Sequence, residues 1–206
     1  MNPLVGVLIA YLTGSIPFAY LAGRAHGIDL RKHGSGNLGA TNALRVLGSR
    51  TGAVVYLGDT LKGWLPVVLL PRFIDSPRPD LWAIAFGVAA IIGHIRPIFL
   101  MGQGGGKGVA TSGGVFFGLA FVPTLVALVS FLAALAIRRR VSVGSLTAAV
   151  ILPTGVAITH GLTHPLTIIC IAIALFVIWL HRGNIARIRA GTEPKIGQKK
   201  TEQPAA

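Results

Sequence analysis

The sequence predicts an all-α integral membrane protein of seven transmembrane helices, with the N-terminus outside and the C-terminus in the cytoplasm. Three observations lead there. The 206 residues are 52% hydrophobic and only 12% charged, with a mean hydropathy of +0.70, whereas a soluble domain carries ~25% charged residues. The apolar residues gather in successive runs of near-span length. The cations between those runs are shared unevenly between the two sides.

A hydrocarbon core ~30 Å thick requires ~20 mostly apolar residues per helix, with latitude for tilt and burial. The candidate spans are residues 3–23, 51–70, 81–101, 108–120, 122–137, 143–159 and 165–181. The first lacks a basic leading region and is followed by equivalent runs, so it reads as a retained helix and not as a cleaved signal. Residues 108–137 read as two short helices. A single one would reach ~45 Å, and Phe121-Val122-Pro123 lies near its middle, where proline ends or kinks a helix. Cys170, the single cysteine, sits inside an apolar run as a packing residue. Residues 1–196 form one membrane-embedded domain, and the polar stretch 197–206 is expected to be a disordered tail.

Net charge is +13, from 19 Lys and Arg against 6 Asp and Glu. A nucleic-acid binder would gather that excess on one face. Here it lies in short stretches between apolar runs, which excludes nucleic acid and points to topology and phosphate-bearing partners. With seven spans one side receives Arg24, Arg31, Lys32, Arg45, Arg50, Lys107, the triplet Arg138-Arg139-Arg140 and the cations of the C-terminal segment. The other side keeps Arg72 and Arg78. Six spans would destroy the asymmetry, so the positive-inside rule selects seven and places the basic side in the cytoplasm.

Three segments on that side carry candidate chemistry. The first is His33-Gly34-Ser35-Gly36-Asn37-Leu38-Gly39-Ala40-Thr41-Asn42, followed by Arg45. Its G-x-G-x-x-G string lacks the preceding strand that a dinucleotide site needs. A flexible glycine linker is the plain alternative. Against it, Ser35, Asn37, Thr41, Asn42 and Arg45 set side-chain donors beside exposed backbone N–H groups such as that of Gly36, a combination suited to phosphate oxygens. The second is Gly102-Gln103-Gly104-Gly105-Gly106-Lys107-Gly108. It is not a Walker A loop, since Met101 and Gly108 stand where that motif needs glycine and Ser/Thr. A tight turn needs one or two glycines; Gly105, Gly106 and Gly108 around Lys107 fit an anion-binding concavity. The third comprises Ser142 and Ser145 after the arginine triplet, and His181-Arg182-Gly183-Asn184 at the end of the last span.

Asp59 and Lys62, at i and i+3 within a span, face one another on the helix, as either a functional or a structural pair. His94, before Pro97, is read as satisfying a helix contact. No paired carboxylates flank the glycine segments, and no G-x-S-x-G, CxxC or HExxH string occurs. A His with an Asp five positions later, familiar in many glycerolipid acyltransferases, is also missing. Neither metal nor cofactor is expected, so chemistry must run on phosphate binding and positioning.

Taken together, and in their order along residues 10–196, these strings closely resemble the bacterial acyl-phosphate:glycerol-3-phosphate acyltransferase family, PlsY type. The matching strings are Gly14-Ser15-Ile16-Pro17, the Ser35–Asn42 segment with Arg45, Asp59-Thr60-Leu61-Lys62-Gly63, Gly93-His94 with Pro97, Gly105–Thr111, Val141-Ser142 with Gly144-Ser145, and His181–Ile185 with Gly191 and Glu193. Two features depart from the pattern: an apparent extra residue at Gln103-Gly104, and Arg96 where an apolar residue is usual. The resemblance implies transfer of a fatty acyl group from acyl phosphate to the 1-hydroxyl of glycerol 3-phosphate, giving lysophosphatidic acid and phosphate. It also implies that Ser35, Arg45, Lys107, His181, Asn184 and one serine, Ser145 in preference to Ser142, line the site. The expected partners are those two substrates, membrane lipids of the bacterial inner membrane and the enzyme that supplies acyl phosphate. A transporter for a phosphorylated metabolite would share the basic face but needs a polar path outward, for which the outer loops offer little beyond Arg72, Asp75, Arg78 and Asp80. A lipid-binding scaffold would not need the cluster of donors.

Overall fold

The computed structural model describes residues 1–197, whose regular elements are all helices, with no strand among them. The expected tail thus lies outside the described residues, except for Gly197. The elements are α1 (Pro3–Gly14), α2 (Phe18–Ala25), α3 (Ala40–Leu47), α4 (Ser49–Leu69), α5 (Pro79–Ile95), α6 (Val109–Leu119), α7 (Phe121–Arg138), α8 (Val141–His160), α9 (Pro165–Leu180) and α10 (Arg182–Arg189).

Each apolar run of the sequence maps onto helix, but the runs differ in what they can cross. Five helical stretches are long and apolar enough to span a bilayer: Pro3–Ala25, Ser49–Phe73, Pro79–Leu100, Phe121–Arg138 and Val141–His160. A sixth exists if α9 and α10, bent by 55°, count as one. Helix α6, at 11 residues, is only ~16 Å long, short of the ~30 Å core. The protein is therefore a multi-pass helical membrane protein. The apolar faces of its long helices look outward, as Leu57, Val129, Ile158 and Leu175 illustrate by their exposure, because lipid is their solvent.

The run 3–23 is broken. Ser15 Oγ and N–H both turn back to the Tyr11 carbonyl, and Pro17 lacks an N–H, so α1 ends and α2 starts after a gap. The 108–137 stretch divides at Ala120, whose extended backbone (φ −150, ψ 70) separates α6 from α7. The two halves return to the same end of the bundle. Lys107, just before α6, bonds Asn184; Asn184 bonds Glu193; and Glu193 bonds Ser142, just after α7. Met1 lies at the far end, its ammonium donating to the Phe73 carbonyl at 2.8 Å.

Small residues let the helix backbones touch, the usual device where lipid supplies no hydrophobic drive between helices. A Cβ on Gly63 would collide with the Thr111 carbonyl and one on Gly114 with the Thr60 carbonyl, so α4 and α6 are locked in register. Beneath lies an apolar cluster of Val67, Ile91, Val115, Phe116, Ala120, Val156, Leu166 and Cys170, with Cys170 a buried packing residue.

Candidate active site

The loop before α3 owes its shape to Asn42. Buried at 2% exposure, its Oδ1 accepts the Ser35 N–H at 2.9 Å while its Nδ2 donates to the carbonyls of His33 (3.1 Å) and Leu30 (3.3 Å). Its amide is thus engaged by the loop itself, and Gly34 and Gly36 take positive φ (62 and 72) in the resulting turn. Ser35 and Arg45 remain exposed at its rim. The second glycine segment lies against the first: Gly106 N–H donates to the His94 carbonyl at 3.3 Å, and a Cβ there would meet the Leu38 carbonyl. The apparent extra residue is absorbed in an exposed turn, with Gly102 and Gly104 at positive φ and the Arg96 guanidinium donating to the Gly102 carbonyl at 3.3 Å.

The third segment is organised by Glu193, which is 5% exposed. Its Oε1 accepts from Ser142 Oγ and Asn184 Nδ2, both at 2.7 Å, and its Oε2 accepts from Arg187 Nε at 2.7 Å. Its backbone carbonyl takes a bond from Arg140 Nε at 3.0 Å. Asn184 passes the connection on by accepting from Lys107 Nζ. Burial alone would push the Glu193 carboxyl upward, but the bonds from Asn184, Ser142 and Arg187 outweigh it and hold the group below its ordinary value. Lys107 is lowered from the ordinary lysine value by burial first, then by the nearby cations Arg187 and Arg45, with Glu193 opposing. His181 is buried, with Nδ1 2.7 Å from the Val177 carbonyl; that carbonyl can only accept, which assigns the proton to Nδ1 and leaves Nε2 as the acceptor. Ser145 Oγ donates to the Val141 carbonyl at 3.1 Å.

All three segments border one cavity of about 2550 Å³. Ser35, Gly36, Asn37, Thr41, Asn42, Arg45, Gly105, Lys107, Gly108, Ser142, Ser145, His181 and Asn184 line its polar end. Gly106 does not; it faces a small gap on the other side of the loop. Phe117 of α6, Leu128 and Phe131 of α7, Ala149 and Leu152 of α8, and Ile173 and Val177 of α9 make the remainder apolar. Such a space suits a molecule with an anionic head and a long hydrocarbon tail.

Sequence reasoning did not place five groups at the cavity that line it. Arg187 was only one of several tail cations, and Glu193 only one member of a matching string; nothing local in the sequence marks that carboxylate as buried. Ser112 lines the cavity from the first turn of α6, and its buried Oγ has no partner among the described residues. Asp59 and His94 reach the cavity edge from α4 and α5. The fold therefore brings carboxylates to the site that were invisible near the glycine strings, both already engaged by cations.

The chain matches the family model described as glycerol-3-phosphate acyltransferase over residues 4–191. Among curated relatives, glycerol-3-phosphate acyltransferases from Geobacter sulfurreducens and Exiguobacterium sibiricum are 45% and 48% identical over 197 and 202 residues. The alignments cover 95% and 96% of this chain and 98% and 95% of those relatives. The crystal structure of PlsY (YgiH), an integral membrane glycerol 3-phosphate acyltransferase, in its glycerol 3-phosphate form is similar with a TM-score of 0.85 at 35% identity, covering 95% of this chain and 96% of that one. Its lysophosphatidic acid form gives 0.82 at 34% identity, covering 95% of each. The chain belongs to the glycerol-3-phosphate acyltransferase family of the PlsY type.

Proposed function

We propose that the protein transfers a fatty acyl group from acyl phosphate to the 1-hydroxyl of glycerol 3-phosphate, releasing lysophosphatidic acid and inorganic phosphate. The observation that carries this reading is one cavity whose polar end gathers Arg45, Lys107 and Arg187 and whose other end is apolar. Three cations suit two phosphates, and the apolar end suits one acyl chain lying between α6, α7, α8 and α9.

Acyl phosphate is already activated, so the protein has only to hold two anions together and aim a hydroxyl at the acyl carbonyl. Orientation of that kind is worth ~7–11 kcal/mol. The hydroxyl oxygen bonds to the carbonyl carbon, the carbon–oxygen bond to phosphate breaks, and the departing phosphate takes the hydroxyl proton. No protein carboxylate is needed as base: Glu193 is held ionised and accepts three side-chain bonds, and Asp59 is paired with Lys62. Lys107 and Gly105 bind one phosphate; Arg45, Thr41, Ser35 and Asn37 help hold both, while Gly36, expected to offer its N–H to phosphate, donates it to the His33 carbonyl at 3.1 Å and shapes the turn. His181 Nε2 and Asn184 position the glycerol phosphate. Asn42 acts by bracing the first loop, Ser142 by its bond to Glu193, and Ser145 is the serine nearer the substrate.

The site is read as facing the cytoplasm of the bacterial inner membrane, with seven crossings, the N-terminus outside and the C-terminus inside. The support is the charge asymmetry, together with the return of α6 and α7 to the site's end and the position of Met1 at the other. Purified protein supplied with acyl phosphate and glycerol 3-phosphate should yield lysophosphatidate and phosphate in equal amounts, and acyl-CoA should not replace the donor. Turnover with acyl-CoA at a comparable rate would overturn the donor assignment, and solute flux without turnover would favour a transporter.

A further inference from the structure

Three ionisable side chains outside the phosphate-binding set are buried together behind the second glycine segment. Asp59 and Lys62 on α4 are 2% and 3% exposed, and His94 on α5 is 5% exposed. Lys62 Nζ lies 2.7 Å from Asp59 Oδ1 and donates to the Ile16 carbonyl, in the break between α1 and α2, at 2.7 Å. The same Asp59 oxygen lies 3.5 Å from His94 Nδ1, which has no hydrogen-bond partner of good geometry. Ionisable groups at this depth are expensive, and as a mere helix tie an ion pair is often no better than an apolar contact of the same volume. A second reason for the cluster lies against its exposed flank.

That flank is the glycine loop. The loop leans on the end of α5, with the His94 carbonyl accepting the Gly106 N–H at 3.3 Å. The ring of the same histidine covers Gly106, where an added Cβ would meet His94 Nε2 and Cε1. Asp59, Lys62 and His94 face Gly104, Gly105 and Gly106 across a gap of only about 10 Å³. Lys107 follows directly, with its ammonium on Asn184. We infer that the Asp59–Lys62–His94 cluster is the positioning element of this loop. Asp59 and Lys62 set the His94 ring and, through Ile16, the break in the first span; the ring and its carbonyl set Gly106; and Gly106 sets Lys107. The helix break, α4, α5 and the loop then move as one body, and the glycine at 106 is the residue that admits the imidazole. This inference rests on the reading of Lys107 as a phosphate ligand.

A double-mutant cycle tests it, using His94→Leu, Lys107→Ala and both together in purified protein. Apparent KM for each phosphate substrate, kcat and amide exchange are measured. His94→Leu should raise the KM of whichever substrate Lys107→Ala weakens, by about tenfold, yet by less than about twofold in the Lys107→Ala background, because both act on one contact. Amides 104–107 should exchange faster while those of α4 and α5 do not change. If His94→Leu fails to fold, Asp59→Asn with Lys62→Met, which removes both charges at once and leaves no unpaired buried ion, must show the same pattern. The inference is overturned if the cluster variants leave KM unchanged although Lys107→Ala raises it, if the two effects simply multiply, or if exchange rises along α4 and α5 as much as in the loop. Unchanged affinity for both substrates in Lys107→Ala would instead overturn the phosphate reading itself, and the inference with it.

Discussion

Replacing Glu193 by glutamine changes one atom type and one charge at the point where Ser142, Asn184 and Arg187 meet. With its oxygen turned toward Ser142 and Asn184, the new amide presents an N–H to Arg187 Nε–H across what was a 2.7 Å bond; flipped, it confronts two donors instead. A charge-assisted bond contributes ~1.5–3 kcal/mol, but Arg187 is 46% exposed, so solvent reduces that contribution to ~1 kcal/mol. The bonds from Ser142 and Asn184 become neutral, at a cost of ~0.5 kcal/mol each. The sum, ~2 kcal/mol, should lower the melting temperature in detergent by ~4–8 °C. Because Asn184 also receives the Lys107 ammonium, kcat/KM should fall by up to ~30-fold. The difference has a pH signature. Glu193 is held below its ordinary value of 4.5 in the folded protein, so its contribution is fully present above that value and is lost as pH falls through the folded one. The wild type and Glu193→Gln should therefore converge in stability in acid. A variant melting within about 1 °C of the wild type, with kcat/KM within about twofold, would refute this account of the hub.

Arg45 is exposed on α3 at the rim of the cavity, so Arg45→Ala should raise apparent KM by ~10-fold or more without a change in melting temperature, and Arg45→Lys should restore only part, because a lysine cannot bind bidentately; an unstable Arg45→Ala would contradict this. Because Lys107 loses its proton more readily than a free lysine, apparent affinity for its phosphate should weaken on the alkaline side before kcat does. An affinity flat to the ordinary lysine value of 10.5 would count against its role. Ala149→Phe places a ring in the apolar part of the cavity between α7 and α9, and should shift acyl preference toward shorter chains with the glycerol 3-phosphate KM unchanged; an unaltered chain-length profile would move the acyl chain elsewhere.

Much of this was readable before folding, and the rest failed for identifiable reasons. The length of the apolar runs located every long helix, since lipid leaves exposed and buried faces equally hydrophobic and run length alone carries the signal. The same fact hid the break at Ser15-Ile16-Pro17, which has no polar gap to announce it. Proline at 123 hinted at the division near Ala120, yet counting α6 as a crossing depends on geometry that 11 residues do not fix by length. Asn42 looks like a phosphate donor in the sequence; its role as a brace appears only once Leu30 and His33 are seen beside it. Glu193 and the Asp59–His94 approach are tertiary facts, built from residues far apart in the chain. The features that local chemistry marks, the glycine segments with Lys107 and Arg45, meet at one cavity.

The central claim is that segments remote in sequence form one phosphate-binding site at the cytoplasmic membrane face. Single cysteines at the exposed positions Lys32, Gln103 and Thr192, introduced into a Cys170→Ala background, test it with an impermeant thiol reagent applied to vesicles of each orientation. All three should label only from the cytoplasmic side, and glycerol 3-phosphate together with a non-transferable acyl phosphate analogue should slow labelling at Thr192, which lines the cavity. Labelling of Lys32 and Gln103 from opposite sides would contradict the shared site.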